Sequence, residues 1–230
     1  MMVRLEAGNR AGNYMHIFGN RLLGQLIADT HSAMIRMGNM LEKIVLEECG
    51  RSGALIGDFD RFIDECETDA GAARYQNRVM VLSKKIAKRS RKLQSRMAEP
   101  DFVVFVMEKR ECRVIELKLG TNFDTKKSQG EAEALREAKT RLGTIVPFKV
   151  NDYVCSFMAG SHKDIVAGFK GKITEGQAMT GREFCALLGL DYAEIRSRFE
   201  SDASYNREAF AQRILSIPEM LKIIRGKISG

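Results

Sequence analysis

Phe102–Met107 reads FVVFVM, Glu108–Glu111 reads EKRE and Cys112–Leu119 reads CRVIELKL, and this stretch contains the strongest strand signals of the chain. Two runs rich in β-branched and aromatic residues on either side of a short polar segment are typical of paired strands. Pro100 precedes the first run and Gly120 follows the second. We therefore predict a β-hairpin with a four-residue loop at Glu108–Glu111.

The predicted register of this hairpin places Val103 opposite Glu116 and Asp101 opposite Lys118. Directly opposed residues, and residues two apart along a strand, point to the same face of a sheet. Asp101, Glu116 and Lys118 are therefore expected on one face and at one end of the hairpin. The opposite face is expected to be core, with the apolar residues Ile115, Leu117, Leu119, Phe102, Val104 and Val106.

Two carboxylates and an ammonium among apolar neighbours indicate a site. Strands of a protein core rarely bury such groups unless they are paired or hold a metal. Carboxylate oxygens suit Mg²⁺, which can activate a water and stabilise charge on a phosphate, and a nearby lysine can orient that water. The alternative is a salt bridge in which Lys118 pairs with Asp101 and Glu116.

These residues resemble a known family. Pro100-Asp101, fourteen residues and then Glu116-Leu117-Lys118 resemble the PD-(D/E)XK nuclease motif. The tail LKLGTNFDTKKSQGE, which runs from Leu117 to Glu131, is similar to the segment after that motif in several type II restriction endonucleases. The resemblance covers about residues 99–140.

The resemblance implies an activity. Asp101 and Glu116 would bind one or two Mg²⁺ ions with help from the backbone carbonyl of Leu117, and Mn²⁺ could substitute. Lys118 would position the attacking water, and cleavage of double-stranded DNA at a specific sequence would leave 5′-phosphates. Such an enzyme would act as a homodimer, and a cognate DNA methyltransferase would protect the host without direct contact with it.

Many members of this family also carry a glutamate on a helix before the hairpin. The apolar spacing predicts a helix over His31–Cys49. Glu42 lies on its small and apolar line with Val45 and Cys49, which makes it the candidate for the metal site, with Glu48 as the reserve. The alternative for Glu42 is an exposed position on the helix surface.

A basic run lies before the hairpin. It contains no acid between its cations: Lys84, Lys85, Lys88, Arg89, Arg91, Lys92 and Arg96. Such a run on a helix favours contact with DNA phosphates, although most charge runs are solvated faces. Lys126 and Lys127 follow the metal-site strand and are candidates for phosphate contact near the scissile bond.

The rest of the chain predicts an α/β (α+β) fold with a central mixed β-sheet flanked by helices, like that of restriction endonucleases. Helices are predicted over Phe59–Cys66, Ala72–Met97, Lys127–Leu142, Thr180–Leu188 and Asn206–Ile224, the last interrupted at Pro218, and strands over Thr144–Val150 and Tyr153–Met158. We expect residues 1–98 to form a helical region for DNA binding and dimerisation, residues 99–160 the catalytic sheet, and residues 161–230 a C-terminal loop and helical region.

Composition limits the classes of protein. The chain has 230 residues, 44% of them hydrophobic, and a net charge of +7, which favours an acidic partner. Its five cysteines form no C-x-x-C pair and indicate reduced core thiols in a soluble cytoplasmic protein. No secretory signal or membrane span is expected. Two alternatives stay open: a non-catalytic DNA-binding regulator, and a repair nuclease or junction resolvase of the same fold.

Overall fold

The computed structural model describes Leu5 and residues 14–93, 100–121 and 123–228. The helices are α1 (Tyr14–Phe18), α2 (Arg21–Arg51), α3 (Phe59–Cys66), α4 (Asp69–Ala73), α5 (Lys84–Ala87), α6 (Thr125–Gly143), α7 (His162–Gly168), α8 (Gly181–Leu188), α9 (Tyr192–Glu200), α10 (Ala203–Leu215) and α11 (Pro218–Ile228). The strands are β1 (Val79–Leu82), β2 (Phe102–Val106), β3 (Glu111–Lys118), β4 (Lys149–Ser156) and β5 (Ala178–Thr180).

The five strands form one sheet in the order β1-β2-β3-β4-β5. β1 and β2 pair antiparallel, as do β2 and β3, whereas β3 pairs parallel with β4 and β4 pairs parallel with β5. Helix α6 connects β3 to β4, as the crossover between parallel strands requires. The predicted mixed sheet flanked by helices is confirmed.

The hairpin of β2 and β3 forms as predicted, but its register is shifted. Val106 pairs with Glu111 and Val103 pairs with Val114, so the predicted pairing of Val103 with Glu116 is wrong. The same register excludes the predicted pairing of Asp101 with Lys118. The difference is two residues, and because side chains alternate with a period of two, every residue keeps its predicted face.

The turn explains the shift. A 3₁₀ turn over Met107–Lys109 ends at Arg110, which adopts a left-handed conformation with φ 49°. The loop therefore comprises Met107–Arg110, and Glu111 belongs to β3. A left-handed conformation is uncommon for a residue such as arginine, so nothing in the sequence marks this position.

Both faces of the sheet are covered by helices. On the face that carries Val103 and Phe105, α3 and α6 pack into a continuous apolar core. Phe62 of α3 contacts Phe105 edge to face, with ring centroids 5.1 Å apart. On the other face, Phe102 makes a similar contact with Phe184 of α8 at 5.3 Å. The central strands are thus buried on both sides and hold their ends in fixed positions.

The prediction of one helix over Ala72–Met97 is wrong for residues 72–93, the part of this range that the structure describes. Asn77 adopts a left-handed conformation with φ 61°, and Val79–Leu82 then pairs with β2 as the edge strand β1. A short apolar run such as VMVL fits a helix or a strand equally well by its periodicity. Pairing with β2 decides in favour of the strand.

The two strands predicted over Thr144–Val150 and Tyr153–Met158 are one strand, β4. The polar residues Asn151 and Asp152 resemble a break in the sequence. Instead Asp152 is buried, and its carboxylate accepts a hydrogen bond from Lys139 Nζ of α6 at 2.8 Å. A paired carboxylate can remain inside a strand because its charge is compensated.

Helix ends were predicted more accurately. The helix predicted over Thr180–Leu188 is α8; Thr180 and Glu183 form a capping box at its start, and it ends at Gly189 with φ 68°. Asp124 caps α6 by accepting a hydrogen bond from Lys127 N at 3.0 Å. The helix predicted near the C-terminus is divided at Pro218 into α10 and α11. Helices α7 and α9 and strand β5 were not predicted.

The chain folds into two compact units. The first comprises Met1–Leu41 with Ala193–Gly230, and the second comprises Glu42–Tyr192. Within the first unit, the guanidinium of Arg213 on α10 lies 2.5 Å from a carboxylate oxygen of Asp29 on α2. The second unit contains the whole sheet. The assignment of residues 1–98 to DNA binding and dimerisation stays a prediction.

The five cysteines are buried free thiols, as predicted. Burial raises the pKa of Cys49 and Cys66 to about 11 and that of Cys185 to about 12. Separately, no helix in the described residues has the length and apolar character needed to span a membrane.

Candidate active site

Asp101 lies immediately before β2 and is held by two hydrogen bonds. Its Oδ2 accepts from the backbone N–H of Leu117 at 2.7 Å, and its Oδ1 accepts from Lys84 Nζ at 2.5 Å. The first bond joins the start of β2 to the end of β3 across the hairpin. The second bond joins Asp101 to Lys84, the first residue of α5, and α5 begins just after β1. Asp101 is therefore fixed at the sheet end where β1 and β3 finish.

Glu116 and Lys118 lie two residues apart on β3 and share its face. Lys118 Nζ donates to Glu116 Oε1 at 2.7 Å and to Glu131 Oε1 of α6 at 2.6 Å. These three side chains are only 16–18% exposed. The ammonium of Lys118 is thus enclosed between two carboxylates near Asp101.

Glu42 of α2 reaches the same cluster through Lys84. Its Oε2 lies 3.5 Å from Lys84 Nζ. Burial raises the pKa of Glu42, and the charge of Asp101 raises it further, while Lys84 opposes the shift. The negative charge of the nearby Asp101 carboxylate therefore makes ionisation of Glu42 less favourable.

The electrostatics of the cluster are those of crowded carboxylates held by ammonium groups. Burial raises the pKa of Glu116, and the charge of Asp101 adds to this effect, whereas Lys118 lowers it. Burial by itself lowers the pKa of Lys118, but the carboxylates of Glu116 and Glu131 outweigh it, so that pKa is raised. An additional positive charge would relieve the repulsion among the acids.

The donor set fits a hard divalent cation. The Asp101 carboxylate is close enough to both Glu116 and Glu42 for its charge to raise their pKa values, and Mg²⁺ needs only one or two carboxylates with water and phosphate. Among the described residues, no three Asp, Glu, His or Cys side chains are grouped closely enough to hold a metal by themselves. The buried Oε2 of Glu131 also accepts no hydrogen bond from the described part of the chain. The site is an acidic pocket whose charge Lys84 and Lys118 compensate.

Comparison with known proteins identifies the family. The chain is 38% identical over 223 residues to the type II restriction enzyme HhaII of Haemophilus parahaemolyticus, and the match covers 95% of each chain. The chain belongs to the type II restriction enzymes. It is therefore a site-specific deoxyribonuclease whose substrate is DNA. No protein-family model matches the sequence of this enzyme, and no solved structure matches it.

The family membership favours one of the readings of the sequence. A site-specific deoxyribonuclease is neither a non-catalytic DNA-binding regulator nor a repair nuclease or junction resolvase. The structure also brings together the four residues predicted to be catalytic: Asp101, Glu116, Lys118 and Glu42. The reserve candidate Glu48 instead forms an ion pair with Arg51 at 2.7 Å.

Sequence reasoning missed the contact of Glu131 with Lys118 in this restriction enzyme. A signal was present, because Glu131 lies three residues after Ser128 and four before Leu135, both buried on the inner face of α6. A carboxylate on a buried helix line is the pattern that favoured Glu42.

The cations of the basic run differ in their surroundings. Lys84 belongs to the acidic pocket, and Lys92 Nζ lies 2.8 Å from Asp64. Lys85, Lys88 and Arg89 are exposed. Helix α5 has only four residues, so the long basic helix that was expected does not form. Arg96 lies outside the described residues.

The other candidate DNA contacts lie at the start of α6. Lys126 and Lys127 are both exposed in its first turn, eight and nine residues after Lys118. This position places two cations just beyond the end of β3, on the element that also carries Glu131. Lys126 and Lys127 are thus accessible to a DNA phosphate, and their contact with the phosphate near the scissile bond stays a prediction.

Proposed function

We propose that this restriction enzyme hydrolyses phosphodiester bonds of double-stranded DNA at the pocket formed by Asp101, Glu116 and Lys118. Mg²⁺ would be the natural cofactor, Mn²⁺ could substitute, and the products would carry 5′-phosphates. The observation that carries the proposal is the convergence of these three side chains at one end of the hairpin, in a chain that belongs to a family of DNA-cutting enzymes.

The carboxylates of Asp101 and Glu116, with the backbone carbonyl of Leu117, would hold the metal. A bound Mg²⁺ supplies a Lewis acid that lowers the pKa of a water and neutralises charge on the phosphate. The bond from Leu117 N to Asp101 supports this role, because it fixes the carboxylate of one ligand against the peptide of another. Glu42 would add a further carboxylate from α2.

Lys118 would hold the attacking water and offset charge on the phosphate. Its ammonium already makes two hydrogen bonds, to Glu116 and Glu131, which restrict its position to the same face of β3. Preorganised donors lower a barrier because they need no reorientation during the reaction.

DNA would be held by the cations outside the pocket. Lys85, Lys88 and Arg89 with Lys92 form one group, and Lys126 and Lys127 form the other. Such contacts position a duplex and carry no base specificity by themselves. Lys84 would join them only after the acids of the pocket have accepted a metal.

The proposed assembly is a homodimer, which would place one pocket at each strand of the duplex. The region expected to mediate dimerisation contains exposed apolar side chains, among them Leu22, Met34 and Ile35, which are 53%, 63% and 56% exposed. The cognate partner of the restriction system would be a DNA methyltransferase that protects host DNA without direct contact with this enzyme.

The test is Mg²⁺-dependent digestion of phage DNA by the wild type, Asp101→Ala and Lys118→Ala. We expect discrete fragments from the wild type and a loss of at least about a hundredfold in rate for each variant. Lys149→Ala is the matched control, because Lys149 is exposed at the opposite end of the parallel pair β3 and β4. Undiminished cleavage by either pocket variant would contradict the proposed site.

A further inference from the structure

Lys118 has two carboxylate partners that come from different elements. Glu116 lies on the same strand, two residues away, and Glu131 lies on α6. The two bonds are equally short, 2.7 Å and 2.6 Å. The lysine is thus held from both sides by acids of similar exposure.

Binding of a metal cation would affect the two carboxylate partners of Lys118 differently. Under the proposed function, Glu116 would direct its carboxylate to the metal, and its attraction for Lys118 would be shared with a dication. The dication would also repel the ammonium. Glu131 would then be the carboxylate that still compensates the charge of Lys118, and a largely buried ammonium without such a partner is strongly unfavourable.

Glu131 is well placed for this task because its helix is anchored by contacts that do not involve the Glu116 side chain. Asp124 caps the start of α6, and Ser128 and Leu135 on the same face of the helix are buried. The position of its carboxylate is therefore set by α6 packing on the sheet. Movement of the Glu116 side chain would leave it in place.

The second oxygen of Glu131 supports a role beyond a simple ion pair. Oε2 is buried and accepts no hydrogen bond from the described residues. Buried carboxylate oxygens normally have a donor. Within the described residues, this oxygen is therefore a buried acceptor without a donor, on the same carboxylate that accepts from Lys118.

We infer that Glu131 is a positioning residue of the active site, which holds the Lys118 ammonium in place once Glu116 engages the metal. This inference rests on the proposed function. It predicts that Glu131 affects the rate of the chemical step through Lys118 and leaves the affinity for DNA unchanged. A purely structural salt bridge would instead affect folding.

The experiment compares the wild type, Glu131→Ala, Glu131→Gln and Lys118→Ala in single-turnover cleavage at saturating enzyme. DNA affinity is measured separately with Ca²⁺ in place of Mg²⁺, and thermal melting monitors folding. Glu133→Gln is the matched control, because Glu133 is exposed on the same helix and bonded only to Gln129 among the described residues. We expect Glu131→Ala to slow cleavage by about 10- to 100-fold, with DNA affinity unchanged.

Glu131→Gln should recover part of the rate, because the amide oxygen still accepts a hydrogen bond from Lys118 without supplying the charge. Wild-type rates for both Glu131 variants would overturn the inference, as would a loss that appears only in DNA affinity. If Glu131→Ala fails to fold, Glu131→Gln decides alone. Wild-type cleavage that persists in Lys118→Ala would instead refute the proposed function itself.

Discussion

Lys84 occupies a position that a metal ion would contest. Its ammonium lies 2.5 Å from Asp101 Oδ1 and 3.5 Å from Glu42 Oε2, between two acids proposed for the metal site. Burial by itself lowers the pKa of Lys84, but the hydrogen bond and charge of Asp101 and the charge of Glu42 raise it overall. The lysine therefore remains a cation. Its charge offsets those of Asp101 and Glu42, as a metal ion bound in the proposed site would.

Replacing Lys84 with methionine should strengthen metal binding in the absence of DNA. The variant keeps the apolar stem and removes the competing charge, and we expect Mn²⁺ to bind on the order of threefold to tenfold more tightly. Titration followed by electron paramagnetic resonance measures free Mn²⁺ directly. Lys85→Met is the control, because that neighbouring lysine is exposed. Unchanged or weaker binding in Lys84→Met would show that the ammonium does not compete.

At the scale of residues, the sequence predicted that Asp101, Glu116 and Lys118 share one face, but it did not predict which side chains form hydrogen bonds with them. Asp101, Glu116 and Lys118 were found from alternation along two strands, which survives a register error of two residues. Glu42 was found from its apolar line. The contacts of Lys84 and Glu131 depend on how β1 and α6 dock on the sheet, and local periodicity contains no information about that docking.

Among the elements, α3 has a second function besides filling the core. Asp60 on its exposed side accepts hydrogen bonds from Ser90 Oγ at 2.5 Å, from Arg91 N at 2.8 Å and from Lys92 N at 3.2 Å. It thereby ties down the segment after α5, where part of the basic run lies. Burial favours a higher pKa for Asp60, but these hydrogen bonds outweigh it and lower the pKa below its ordinary value of 3.8.

Removing this carboxylate by Asp60→Ala should lower the melting temperature at pH 7 and weaken binding of DNA. A carboxyl group with a lowered pKa stabilises the fold above its ordinary pKa, and the effect is lost as pH falls through the lowered value. The difference in melting temperature between wild type and variant should therefore shrink below pH 3.8. Calorimetry across pH measures it.

The control for that experiment is Asp64→Ala, one turn further along α3. Asp64 is 63% exposed and pairs with the side chain of Lys92, so its loss removes a surface ion pair and leaves the backbone bonds intact. Equal effects of the two variants would show that charge, and not the anchoring of the segment, explains the result.

The elements also show where reading a sequence succeeds and fails. The hairpin, α3, α6 and α8 carry strong local signals: apolar runs, a capping aspartate and a capping box. Strand β1 has four residues and forms because β2 offers an edge. The interior of β4 contains the buried carboxylate of Asp152, which is tolerated because Lys139 of α6 compensates its charge. Local sequence does not reveal this partner.

At the scale of the whole molecule, the net charge of +7 and the exposed apolar residues of the first unit would serve different partners in the proposed assembly. The charge favours DNA, and its effect weakens as salt rises. Exposed side chains such as Ile17 and Ile35 gain nothing from an anionic duplex. They suit a surface of the same kind on a second copy of the chain.

Ile35→Glu should therefore shift the protein from dimer to monomer in sedimentation velocity, because a charge at an apolar interface must be desolvated. On supercoiled plasmid, the same variant should nick one strand more often than it linearises the circle. Ser204→Glu introduces the same charge at an exposed position of α10 in the same unit and should remain dimeric. A dimer that persists in Ile35→Glu would place the interface elsewhere.

The burial of all five thiols has a practical consequence for following this enzyme at work. With sulfur atoms shielded and their pKa values raised, a maleimide dye has no ready native target in the folded protein. Lys109→Cys would place one reactive thiol in the exposed hairpin turn, at the end of β3 remote from Lys118. A single fluorophore attached there could report arrival on labelled DNA in real time, with every native cysteine left in place.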